Sequence, residues 1–349
     1  MHSIMDYAWS ITRRVADGEI SLAQIFDFAG LYAIRGLSRV YTAIIGRKPS
    51  VIMYPIKMSS PDVTTDVDAY WSEYTVNSMT FRTRWESDRY YEWLVCDYPL
   101  LADYMEFIGD RSGQVVLDYG CGPGNDIYRL LTKNLAKKVV GIDVSYKALE
   151  LAGQRMALYK ISPDRLELIR IVDANTTIPL ADDSIDYINC AGVLHHTSDP
   201  GKILSEFYRV LRPEAYGHIM VYNENSLFFH LYLAYRLMII DGKYNGMDIK
   251  DAFSRSTDGE ECPLSRCYKH AEFTALCRGV GFEVDYIGGY FMRSELQLFK
   301  KTTDNAINDD RLAPEHREFL RGLKCDAQGY PLYDDKHAGI GGVYKIHKR

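Results

Sequence analysis

The residues best suited to chemistry lie between Val115 and Asp143, in the stretch VVLDYGCGPGNDIYRLLTKNLAKKVVGID. Gly120, Gly122 and Gly124 recur at alternate positions after the acid Asp118, with Cys121 between the first two. Glycine tolerates positive φ and lets a ligand approach the backbone, so this spacing makes a turn that can cradle a ligand. Pro123 fixes φ near the start of a following helix, where its missing N–H costs little. Asp143 stands nineteen residues after Gly124. An acid at that place can accept both hydroxyls of a ribose. A dinucleotide turn reads G-x-G-x-x-G and seats a pyrophosphate on the helix N-terminus. Here the turn reads G-x-G-x-G-x-D: the third glycine of the dinucleotide pattern would fall on Asn125, and Asp126 follows it. Its carboxylate repels a pyrophosphate and suits a cationic amino-acid tail, and Asp118 points the same way. S-adenosylmethionine carries the matching ribose, sulfonium and α-ammonium group.

Positioning these residues requires a parallel sheet. Val115–Leu117 is a short apolar run of the kind covered on both faces, and Val139–Ile142 is a second. Leu166–Val172 reads as a third strand, IPLADDSIDYINC contains a fourth, and a fifth ends at Tyr222. Phe282–Ile287 and Gly342–His347 read as the sixth and last. Helical patterns separate them, including Tyr90–Ile108 before the first strand and Tyr268–Val280, with Gly281 as its stop. Leu227–Ile240 fits a buried helix or the lining of a lid. The pattern predicts an α/β fold: a Rossmann-like, doubly wound, seven-stranded, mainly parallel sheet. It adds a helical N-terminal extension (residues 1–60) and a helical, aromatic cover segment (61–110). The core spans 111–349, with insertions after strands five and six at 223–267 and 291–340.

Taken together, LDYGCGPG, GID, the Asp173-Ala174 pair, DDSIDYI…VLHH and FYRVLRP resemble the motifs of one family. The chain is similar to the class I S-adenosylmethionine-dependent methyltransferases, in the small-molecule branch that includes the ubiquinone/menaquinone-type enzymes. The likeness runs closely from about Tyr104 to Tyr222. It implies that Asp118, Gly120, Gly122 and Gly124 line the methionine end of the cofactor. Asp143 would bind the ribose, Val144 would flank the adenine, and Asp173 would reach the adenine amino group with Ala174 beside it. Ala191 to Leu194, Val193 included, would form the floor under the sulfonium.

Methyl transfer to a hydroxyl asks for alignment, exclusion of water and removal of a proton. His195 and His196 follow the fourth strand and are the candidate bases. The alternative is that His195 packs and His196 orders the turn before Asp199-Pro200. Tyr222 and Asn223, after the fifth strand, are candidates to meet the acceptor, as are Tyr70, Arg82, His230 and Tyr268. Arg82 would close on the cofactor carboxylate, and His337 could return to the site from the later insertion. The D/N-P-P-Y/F element of DNA N-methylation is replaced by CAGV. The expected activity is O-methylation of a small molecule, a sugar or glycan intermediate or another hydroxylated metabolite. The alternatives are a membrane-peripheral methyltransferase of a lipid-linked or quinone-type acceptor, and a non-catalytic binding module that keeps the fold.

Composition sets bounds on partners. The net charge of −6 argues against a nucleic-acid binder. Seven dispersed cysteines suit a reducing, cytoplasmic setting, and the lack of a C-x-x-C pair argues against structural zinc, so no metal is expected. No run of eighteen apolar residues predicts a spanning helix. Ile20–Ile45 reads as amphipathic helix packing on the body or a partner, or as a membrane contact through residues 20–48.

Overall fold

The apolar runs of the sequence become the strands of one sheet. A computed structural model describes residues 52–59, 65–76 and 78–349. The strands are β1 (Ile56–Met58), β2 (Val115–Tyr119), β3 (Lys138–Asp143), β4 (Leu166–Arg170), β5 (Ile185–Ala191), β6 (Leu211–Tyr222), β7 (Glu283–Tyr290) and β8 (Gly341–His347). Their order across the sheet is β1-β4-β3-β2-β5-β6-β8-β7. Strands β1 to β6 pair in parallel, and β8 runs antiparallel to both β6 and β7. The order reverses between β2 and β5, the place where open α/β sheets bind ligands.

Alternation along each strand feeds two apolar layers. Val116 packs with Ile127, Leu130, Leu149 and Met156 on one face. Its neighbour Leu117 packs with Ile203, Leu204, Phe207 and Phe273 on the other. Each such side chain, fully removed from water, contributes about 1.5–3 kcal/mol. The first face is covered by α4 (Asn125–Thr132) and α5 (Tyr146–Leu158). The second is covered by α6 (Pro200–Val210) and α8 (His270–Val280). Start signals are local: the Ser145 hydroxyl caps α5, and Asp199 with Pro200 starts α6. Gly281 stops α8 at φ +113°.

Two expectations are corrected. The sheet has eight strands, not seven. The added strand β1 lies in the segment expected to be helical, and its backbone pairs with Leu168–Arg170, which would otherwise be an open edge. The helix expected over Tyr90–Ile108 is α2 (Arg84–Asp97) followed by the short α3 (Leu101–Tyr104). Pro99, and Leu100 at φ +72°, interrupt it.

Before α2 lies α1 (Asp66–Glu73), over the carboxyl edge of the sheet. Residues 223–267 contain a π-helical segment, Phe228–Ile240, and α7 (Ile249–Ser256). The neck of this insertion is closed by Tyr268 N donating to Tyr222 O and Glu224 N donating to Tyr268 O, both at 2.9 Å. Residues 291–340 hold α9 (Arg293–Asn308), α10 (Pro314–Gly322) and a three-stranded antiparallel sheet. Glu295, fully buried in α9, accepts from Met292 N, Phe228 N and Ile340 N at 2.7, 3.0 and 3.4 Å. One carboxyl thus ties both insertions to the start of β8. Among the described residues no helix is long and apolar enough to cross a membrane. Residues 20–48 lie outside the described residues.

Candidate active site

The strand ends and the loops after them surround a cavity of about 520 Å3, a size typical of small-molecule sites. The glycine turn forms one wall. Gly120, Gly122 and Gly124 have φ of +72°, +51° and +82°. Gly120 N and Cys121 N both donate to Ile142 O, at 2.7 and 2.9 Å, which folds the turn onto the end of β3. A Cβ on Gly120 would overlap the Val193 side chain, and one on Gly124 would come within 2.9 Å of Ala152 Cβ. At Gly122 a Cβ would meet nothing within 4 Å. Two of the glycines therefore permit packing, while the third leaves space for a ligand. No side chain caps α4 after this turn.

Asp143 ends β3 on the cavity wall. Its Oδ2 accepts from Gly122 N and its Oδ1 from Ser145 N, each at 2.8 Å. Burial raises its carboxyl pKa, and the N–H bonds from Ser145, Gly122 and Val144 offset part of that. Val144 and Asp173 line the same side. Asp173 accepts from both the backbone and the hydroxyl of Ser198. Asp173 N donates to Asp68 Oδ1 at 2.8 Å, and Asp68 also closes the capping box that starts α1. The cover helix is thereby fixed to the loop after β4, and its Val67 and Trp71 complete the wall. The lining presents Asp126, Asp143 and Asp173 and, among the described residues, no Lys or Arg. Those acceptors suit ribose hydroxyls, an adenine amino group and an α-ammonium group. They supply no counter-ion for a pyrophosphate, so the donor set fits S-adenosylmethionine.

Cys121, Ala191 and Val193 also face this cavity. Asp118 does not. Its Oδ1 accepts from Asn189 Nδ2 at 2.8 Å, and Asn189 Oδ1 accepts from Arg129, which also holds Asp126. Asp118 Oδ2 has no partner. Burial and then the Asp126 charge, against the Asn189 bond and Arg129, push this carboxyl up to about 8. Asp118 therefore belongs to a buried network under the turn, and the ligand-facing carboxylate is Asp126. Gly124 lies behind the wall, and Ala174 is exposed outside it.

The other half of the cavity is apolar and aromatic. Tyr98, Met105, Met220, Phe228, Tyr290 and Met292 wall it. At the junction stand Tyr222, His196 and Asp258. Asp258 Oδ2 accepts from Tyr222 Oη at 2.8 Å and faces His196 Nε2 at 3.2 Å. His196 Nδ1 bonds Leu264 O at 2.7 Å. Burial would lower the His196 pKa, but the bonds to Asp258 and Cys262, the Asp258 charge and the Leu264 carbonyl raise it to about 9. Burial likewise raises the Asp258 pKa, but His196 and then Tyr222 bring it below the ordinary carboxylate range. The pair is an imidazolium and a carboxylate.

This geometry corrects the expectation that one histidine is the base. His196 holds its protons, and both its nitrogens are engaged. His195 is fully buried behind the Tyr222 ring, 3.9 Å between centroids, and neither of its nitrogens has a partner. Burial, then the charges of His196 and Arg266, keep it neutral well below its ordinary value. His195 therefore packs, and His196 clamps the insertion to the end of β5.

The remaining candidates divide. Tyr222 lines the cavity. Tyr70 stands behind it and donates its hydroxyl to Asp258 O, joining α1 to the insertion. Arg82 is exposed and off the wall. Asn223 spends its amide on Asn225 and Gly339, a turn role. His230 pairs with His316, Nδ1 to Nδ1 at 2.8 Å, and stacks on Phe319. Tyr268 belongs to the insertion neck, and His337 bonds Tyr104 and Asp326 away from the cavity. All seven cysteines are free thiols. Among the described residues no group of three His, Cys, Asp or Glu side chains could hold a metal.

Residues 110–252 match the model of a family described as a methyltransferase domain. A ubiquinone biosynthesis O-methyltransferase of Neisseria meningitidis is 30% identical over 141 residues, 39% of this chain and 56% of that protein. A 27-O-demethylrifamycin SV methyltransferase of Amycolatopsis mediterranei is 36% identical over 103 residues, 30% of this chain and 36% of that protein. The crystal structure of an S-adenosylmethionine dependent methyltransferase from Mesorhizobium loti aligns with a TM-score of 0.45 and 15% identity, covering 71% of this chain and 97% of that one. The chain thus spans about half the length, 56%, of the Neisseria relative. Residues 110–252 thus carry a methyltransferase domain.

Proposed function

We propose that this protein transfers a methyl group from S-adenosylmethionine to a hydroxyl of a small molecule with an apolar, ring-containing body. One observation carries the reading: a single cavity joins a carboxylate-lined nucleoside half to an aromatic half, with Asp258 at the junction. The cofactor supplies an electrophilic methyl on its sulfonium. Asp143, Asp173 and Asp126 would hold its polar groups, and Gly122 would leave room for it. The apolar wall orients the acceptor and excludes water, which strengthens every polar contact inside. Asp258 would accept the hydrogen bond of the acceptor hydroxyl and orient it, and would receive its proton only as the hydroxyl becomes acidic on methyl transfer. The bonds from Tyr222 and His196 end on Asp258 Oδ2, and the Thr257 hydroxyl also bonds this carboxylate.

The apolar, aromatic wall favours an apolar ring over the expected sugar or glycan intermediate. The names of the Neisseria and Amycolatopsis relatives support O-methylation of small molecules of this kind. A quinone-type ring is one such acceptor. The test is binding of S-adenosylhomocysteine by calorimetry, followed by labelled-methyl transfer to ring hydroxyls. Asp258→Asn is expected to lower kcat and leave product-cofactor binding intact. Absence of S-adenosylhomocysteine binding would end the reading.

A further inference from the structure

Resting on that reading, we infer that the acceptor half takes an uncharged ring and rejects acceptors that carry a carboxylate, phosphate or sulfate. The cavity lining holds four aspartates, Asp126, Asp143, Asp173 and Asp258, and among the described residues no Lys or Arg. The nearby guanidinium groups are committed elsewhere. Arg129 is spent on Asp126, Asn134 and Asn189 and lies over the Phe107 ring. Arg155 is spent on Ser87 and Asn125. Arg266 donates to Thr197 O. The ammonium groups of Lys250 and Lys269 both sit on Glu224. Among the described residues the one cationic group on the wall, His196, is matched by Asp258 at 3.2 Å and has its second nitrogen on Leu264 O.

An anionic acceptor would therefore lose its hydration to Tyr98, Met220, Phe228, Tyr290 and Met292 and gain no counter-ion from the described residues of the wall. It would also approach the carboxylate of Asp258. A neutral ring meets neither cost. It gains apolar and aromatic contact and keeps one polar bond, from its hydroxyl to Asp258. Selection works here by leaving the wrong charge unpaired, not by a steric filter.

The test uses the full-length protein and a matched pair of catechols, one bearing a methyl group and the other a carboxylate at the same ring position. Methyl transfer is followed with labelled S-adenosylmethionine, and affinity is read separately by calorimetry on the protein loaded with S-adenosylhomocysteine. The neutral catechol is expected to bind and react at least roughly 30-fold better, the scale set by an unpaired buried charge. Met292→Lys, which puts an ammonium group on the wall, is expected to narrow that ratio at least roughly tenfold. Equal or better binding of the carboxylate member by the wild type overturns the inference and leaves methyl transfer standing. Failure of both catechols to bind the product-loaded protein overturns it as well. Failure of S-adenosylhomocysteine itself to bind instead removes the reading on which it rests.

Discussion

Replacing Asp258 by asparagine removes the charge that keeps His196 protonated, and the consequence can be measured as stability. His196 is buried, with 6% of its side chain exposed, and its pKa lies at about 9 against an ordinary 6.5. At about 1.4 kcal/mol per pH unit, that difference is worth about 3 kcal/mol. The sign follows from the direction. A group whose folded pKa is raised stabilises fully below its unfolded pKa, and the contribution disappears as pH rises through the folded value. The clamp is thus complete below pH 6.5 and lost by about pH 9. Glu295 and Asp118 also have raised values, of about 8 each, so the wild type alone would mix three titrations. The difference between wild type and Asp258→Asn cancels the shared two. Urea unfolding at several pH values across this window should show the wild type losing about 3 kcal/mol more than the variant. Parallel pH profiles for the two proteins would refute the imidazolium assignment, and with it the argument that His196 cannot act as the base.

Gly120→Ala forces a side chain into left-handed backbone, at about 1–2 kcal/mol, and into Val193, at about 1–3 kcal/mol for overpacking. A loss of about 2–5 kcal/mol in denaturant unfolding is expected, together with loss of S-adenosylhomocysteine binding. Asp143→Ala removes a charged acceptor of the kind worth about 1.5–3 kcal/mol and should weaken that binding roughly 10- to 100-fold by calorimetry, with the fold intact by circular dichroism. Glu295 has its folded pKa raised to about 8 from an ordinary 4.5, so its ionisation makes stability fall as pH rises across that interval. Glu295→Gln should flatten the fall in Tm between those pH values relative to wild type.

The sequence was most legible where function is local. The glycine turn, Asp143 and Asp173 belong to strand ends, and their short-range spacing places them on one edge. The family resemblance pointed to Gly122, Val144, Ala191 and Val193 as well, and these residues line the cavity. The acceptor half is non-local. Asp258 lies 62 residues beyond His196, in a polar stretch whose neighbours Asp251, Glu260 and Glu261 look the same. Only the fold brings it under Tyr222. Hydropathy could not separate the wall-forming Tyr98 and Tyr290, one half-buried and one buried, from the core tyrosines, because residue type is the same in both places. Asp118 was misplaced for a different reason. A carboxylate at a strand end can face up to a ligand or down into a network, and the deciding partners, Asn189 and Arg129, come from other elements. The edge strand β1 is three residues long and carries no periodic signal of its own.

Strand β8 lies between β6 and β7, antiparallel to both, although it is the last of the eight strands to leave the ribosome. The order of synthesis therefore separates the two halves of the site. β2 to β5 can pair as they emerge, so the nucleotide-side wall can assemble on a nascent chain. β6 pairs with β5, but β7 has no strand partner until residues 341–347 arrive. Tyr290 on β7 then joins Met220 and Tyr222 of β6 on the cavity wall. A chain stalled before Gly341 would leave β7 without its strand partner, and Tyr290 without the neighbour that sets it against the sheet.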